Sequence, residues 1–132
     1  MILGIGVDLV DIQRIEKMLE RHPQKFLDMT YTKIEQERAT TITNDQQRTS
    51  YFAKRFAAKE AFVKALGCGF GSQVTFLDIS VHTEASGKPT IVLSDSLSRK
   101  MRVIFKEDRI KIDLSLTDEY PMAQAFVVIS SY

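Results

Sequence analysis

One carboxylate and one ammonium, Glu60 and Lys64, stand a helical turn apart within Tyr51–Gly67. This stretch is rich in Ala, Lys, Leu and Phe, has no internal Gly or Pro, and places Gly67 where a left-handed helix cap belongs. At about 100° per residue, Phe52, Phe56, Val63 and Leu66 share one stripe, the expected core face. Ala53, Ala57, Glu60 and Lys64 share a flank, with Ala61 at its edge, that is small apart from its two charges. Alanines let something approach the backbone closely, and the charges would meet whatever arrives. The pair also reads as an ordinary surface ion pair worth about a few tenths of a kcal/mol. The helix alone leaves both readings open. Lys59 projects within the apolar stripe, where its stem can snorkel past the core edge.

A second acid stands near the N-terminus. Met1 to Leu9 reads as a strand with Ile5, Val7 and Leu9 on one face and Gly4, Gly6 and Asp8 on the other. Two glycines weaken a strand and need a reason, such as close approach by another backbone or a ligand. Asp8 then ends a bare surface, or caps the next element of the chain. Asp11 can cap a helix running to about Arg21, with Ile12, Ile15 and Leu19 as its buried stripe. Arg14, Lys17, Met18 and Arg21 form a separate face, either solvated or a dock for an acidic partner helix. The glycines of Gly67-Cys-Gly-Phe-Gly71 follow a helix, whereas phosphate loops place them before one. They imply a tight turn, and any phosphate nearby would need a cation from Lys64, Lys59 or Arg55.

The elements that must position these groups fit one domain, 1–132, of ordinary globular composition: 44% apolar and 27% charged. A net charge of +1 gives no global field for nucleic acid or a membrane surface. Cys68, the only cysteine, excludes an intrachain disulfide and reads as a small buried side chain. The N-terminus lacks a basic leader and no stretch has membrane-span length, so a cytoplasmic protein is expected. Thr32-Lys-Ile-Glu35 matches a capping box for a short helix over Lys33–Arg38, and Asn44-Asp45 can open the central helix. A strand is expected over Val74–Thr83, with Leu77, Ile79 and Val81 on one face, then a turn at Ala85–Pro89 and a return strand, Thr90–Leu93. Ser94 or Asp95 would cap a helix to about Lys106 with Leu97, Met101, Ile104 and Phe105 as its apolar residues. Ile110, Ile112, Leu114 and Leu116 alternate with polar residues, and Asp118–Pro121 turns into a last strand, Met122–Ser130. The expected class is α+β, a largely antiparallel sheet packed against the long central helix.

Ile5-Gly6-Val7-Asp8 with Arg14, and Lys54-Arg-Phe-Ala-Ala-Lys-Glu60-Ala-Phe-Val-Lys64-Ala-Leu-Gly67 downstream, together resemble the holo-acyl-carrier-protein synthase family, the short phosphopantetheinyl transferases. The resemblance covers nearly the whole chain, including Gly87-Lys-Pro89 and Tyr120 to Ile129. It implies a 4′-phosphopantetheinyl transferase-like fold assembled as a homotrimer with sites between subunits. The implied reaction is magnesium-dependent transfer of 4′-phosphopantetheine from coenzyme A to a serine of apo acyl carrier protein, in support of fatty acid biosynthesis. By the same resemblance Asp8 and Glu60 would bind Mg²⁺, an ion that takes one or two carboxylates plus phosphates and waters. Lys64, held by Glu60 until substrate arrives, would lie against the phosphates as a point charge. Arg55, Lys59 and Gly67 are further candidates for coenzyme A contacts. Arg14, Met18 and Arg21 would dock the acidic carrier. Either Glu60 or a water on the metal would take the serine proton. One departure stands out: many relatives carry Ser-x-Ser/Thr-His before the last turn, and here Asp118 falls where that histidine would. The competing reading is a catalytically silent oligomeric module that binds coenzyme A or a carrier.

Overall fold

The computed structural model describes residues 1–71 and 73–132. The chain opens with β1 (Ile2–Asp11) and α1 (Ile12–Arg21). Asp11 caps α1, its carboxylate accepting from the Gln13 amide at 2.9 Å. His22-Pro23 ends α1 as expected, but Pro23 also starts a second helix, α2 (Pro23–Thr30), because its fixed φ suits a first helical turn. The capping box then forms at Thr32 and Glu35, and α3 spans Lys33–Ala39. The long helix α4 (Asp45–Leu66) is capped by Asn44 and stopped by Gly67 at φ 85°, a conformation glycine reaches without strain.

After α4 the expected strand is shorter than its apolar pattern. Phe76–Asp78 is a single 3₁₀ turn, and β2 covers only Ile79–Thr83. The Asp78 carboxylate causes this by accepting from the Thr75 amide at 2.9 Å and the Ser94 hydroxyl at 2.8 Å. Leu77 is consequently exposed, while Ile79 and Val81 are buried. The hairpin closes with β3 (Pro89–Leu93), and α5 (Asp95–Phe105), β4 (Ile110–Glu119) and β5 (Met122–Ser131) complete the chain. Ile104 of α5 is exposed, as is Cys68, which has passed beyond the helix cap onto an open loop.

All strand pairs are antiparallel, in a three-stranded sheet ordered β1-β5-β4 and the separate β2-β3 hairpin. The α4 helix packs across the inner face of the larger sheet, against Gly6, Val10, Ala125, Val127 and Ile129. Its wheel therefore has two buried sides. Phe52, Phe56, Val63 and Leu66 are buried as expected, and the alanine flank is equally core, with Ala53, Ala57 and Ala61 at 0% exposure. The opposite sheet face carries Ile5, Val7, Leu9 and Phe126, which remain 60%, 45%, 60% and 45% exposed.

Candidate functional site

The site is made by the closeness of β1 to α4. A Cβ on Gly4 would stand 2.0 Å from the Ala65 carbonyl oxygen, and one on Gly6 would stand 1.9 Å from that of Ala61. Only hydrogen at these positions lets strand and helix backbones touch, and the small alanine flank opposite completes the fit. Two residues beyond Gly6, Asp8 is thereby brought to the last turns of α4. There the Lys64 ammonium donates to Asp8 Oδ1 and to the Val7 carbonyl, both at 3.1 Å. The sequence expectation pairs Lys64 with Glu60. It is held by Asp8 instead, because the strand lies closer to the ammonium than a wheel drawn for the helix alone can show.

Glu60 belongs to the same cluster. Burial pushes its carboxyl above the ordinary glutamate range, the Asp8 charge pushes further, and Lys64 and Arg14 oppose them. Arg14, expected only on a docking face, thus also acts electrostatically on Glu60, and its guanidinium lies over the Phe56 ring at 5.6 Å. Phe56 stacks on Phe76 at 5.4 Å and Phe76 on Phe70 at 4.0 Å, so an aromatic column joins α1 and α4 to the glycine loop. No sequence spacing signals that column. Met18 and Arg21 lie exposed on α1.

Other predicted contacts lie elsewhere. Lys59 is completely buried, donating to Glu35 Oε1 at 2.7 Å, the Thr30 carbonyl at 2.7 Å and the Phe76 carbonyl at 3.1 Å. All three ammonium protons are used, so Lys59 has none for a coenzyme phosphate, and its role is corrected to a structural one. Arg55 is buried over the Tyr51 ring at 3.8 Å and donates to Thr83 Oγ1 at 3.1 Å. It lines a polar cleft of 630 Å³ with Arg38 and Lys54, a cleft that does not include Asp8, Glu60 or Lys64. Gly67 is exposed and serves as the cap of α4. Asp118 pairs with Lys54 at 3.2 Å rather than standing free as a base.

The donor set suits Mg²⁺. Two carboxylates are hard oxygen ligands, and the repulsion between them, which adds to burial in raising Glu60, is what a divalent cation would relieve. Among the described residues no group of three His, Cys, Asp or Glu could hold a metal by itself, so an ion on this pair would take its remaining ligands from substrate and water.

Residues 4–125 match the model of the 4′-phosphopantetheinyl transferase superfamily. The chain belongs to this superfamily. The matched span of the transferase domain includes Gly4, Gly6, Asp8, Arg14, Glu60, Lys64 and Asp118. The chain is 46% identical over 132 residues to the holo-[acyl-carrier-protein] synthase of Mesorhizobium japonicum, covering 99% of this chain and 94% of the relative. The crystal structure of holo-[acyl-carrier-protein] synthase from Neisseria meningitidis is similar at a TM-score of 0.87 and 34% identity, over 99% of this chain and 100% of that one. The Bacillus anthracis synthase, solved in complex with CoA (3′,5′-ADP), is similar at a TM-score of 0.81 and 36% identity, over 100% and 99%. As expected, this phosphopantetheinyl transferase chain is α+β, and its largely antiparallel sheet backs onto one long helix.

Proposed function

We propose that the chain transfers 4′-phosphopantetheine from coenzyme A to a serine hydroxyl of apo acyl carrier protein, releasing adenosine 3′,5′-bisphosphate. The convergence of Asp8, Glu60 and Lys64 carries this reading, and the names of the relatives support it. Asp8 and Glu60 would hold Mg²⁺, which when bound supplies positive charge to the diphosphate as its bridging bond breaks. Lys64 orients the same diphosphate as a point charge. The serine oxygen forms the new bond to the β-phosphorus, and the bond to the leaving 3′,5′-bisphosphate breaks with its electron pair on the departing phosphate. Glu60 or a water on the metal would receive the serine proton. Arg14, Met18 and Arg21 dock the acidic carrier, and Arg55 with Arg38 and Lys54 offers cations to the remaining coenzyme phosphate.

The site of a single chain is shallow, since the Lys64 side chain is 56% exposed. Further walls would come from a second copy. The apolar outer face of β1 and β5 lies one strand's thickness from Asp8, which supports a homotrimer with sites between subunits. We propose further that the reaction runs in the cytoplasm, in service of fatty acid synthesis. Among the described residues no helix is long and apolar enough to cross a membrane. Mass spectrometry of an apo carrier incubated with coenzyme A, magnesium and this protein tests the reading. The carrier should gain one phosphopantetheine, and Asp8→Asn or Glu60→Gln should slow the gain by roughly 10²–10³-fold, as when one electrostatic stabiliser of a transition state is removed. Coenzyme A binding without any gain in carrier mass would identify the silent module instead.

A further inference from the structure

We infer that the Lys64 ammonium is the resident counter-ion of the metal site, which a divalent cation must displace from Asp8 before that cation can bind. The inference rests on the assignment of Asp8 and Glu60 to the metal. The ammonium sits on Asp8 Oδ1 and on the Val7 carbonyl, two oxygens of the kind a hard divalent ion prefers. Glu60, one turn back on its own helix, offered the ordinary partner, yet the ammonium reaches across to the strand. The Asp8 side chain is only 16% exposed, so its charge is largely withdrawn from water and needs a counter-charge. Lys64 is the mobile partner, because its side chain is mostly in solvent and Asp8 is fixed by the glycine contact of β1.

Exchange has a mechanistic consequence. A cation arriving at Asp8 frees Lys64 to meet the diphosphate, and a diphosphate that draws Lys64 away bares Asp8 for the cation. Metal and coenzyme therefore favour each other's binding through Lys64, in addition to any direct contact between them.

The test is direct binding of Mn²⁺ to the intact protein at low ionic strength without coenzyme A, read from the electron paramagnetic resonance of free Mn²⁺. Lys64→Met should bind Mn²⁺ about two- to fivefold more tightly than the unaltered protein, the scale of a part-exposed ion pair. Lys64→Arg, which keeps the charge, should match the unaltered protein. With coenzyme A present the advantage of Lys64→Met should vanish. Equal or weaker Mn²⁺ binding by Lys64→Met, or tighter binding by Lys64→Arg as well, would overturn the counter-ion role. If the unaltered protein binds no Mn²⁺ even with coenzyme A, the metal assignment beneath it fails instead. Circular dichroism of each variant checks the fold, which an exposed side chain should leave intact.

Discussion

The proposed mechanism asks Glu60 for a negative charge beside a metal, and its surroundings act on that charge in both directions: burial and then Asp8 raise its carboxyl, while Lys64 and Arg14 restrain the rise. The carbon resonance of its carboxyl, followed by NMR without metal, should titrate above the ordinary glutamate range. Asp8→Asn should lower that midpoint and Arg14→Gln should raise it. The folded state binds this proton more tightly than the unfolded chain. The resulting stability is fully present below the unfolded value and is lost as pH rises through the folded one. Arg14 therefore makes a poor isolated probe of carrier docking, as it acts on Glu60 and covers Phe56. Arg21, in the last turn of α1, is cleaner. Arg21→Glu should raise the carrier KM by about tenfold, or 1.4 kcal/mol, with the coenzyme A KM unchanged, whereas Arg14→Glu should alter kcat as well.

At the scale of elements, two contacts hold α4 in place. On one side Gly4 and Gly6 seat β1 directly on its backbone. On the other, Lys59 reaches into a buried network where Glu35 also accepts from the Thr32 amide and the Val81 amide, each at 2.8 Å. This ties α3, the 3₁₀ turn and β2 to the long helix. Burial draws the Lys59 ammonium below its usual range, and Glu35 restores part of the loss. Lys59→Met would strand the Glu35 charge, so it should cost about 3–5 kcal/mol of stability by urea denaturation. The coenzyme A KM of the protein that remains folded should not change. A rise in that KM at unaltered stability would return Lys59 to the coenzyme site.

At the scale of the whole molecule, the sheet has one face on α4 and another left half-open to solvent, with Ile5, Val7, Leu9 and Phe126 in one patch. The proposed trimer would cover this patch, as apolar patches of this kind are commonly covered by a partner. Phe126→Asp, which leaves the inner face untouched, should convert a trimer to monomers in sedimentation velocity and abolish transfer, with secondary structure retained.

Much of this architecture was legible in one dimension. The caps at Asp11, Thr32, Asn44, Ser94 and Gly67 are local hydrogen-bonding or backbone requirements, and each stands where its residue type indicates. The shortened β2 was only half legible: Thr75 and Asp78 are a local i,i+3 pair, but the Ser94 hydroxyl that also holds Asp78 comes from a distant part of the chain. Exposure of Ile5, Val7 and Leu9 was equally hidden, since alternation separates two strand faces without saying which one the helix covers. By itself the sequence determined most of the elements, though not α2 or the start of β2, together with the superfamily and the residues able to do chemistry, all carried by residue type and short spacing. Only the tertiary structure decided that Lys59 serves the core, that Lys64 rests on Asp8 and that Arg14 acts on Glu60. Burial and charge partners depend on which surfaces meet, and here two glycines on a strand and the alanines of a helix settle that meeting.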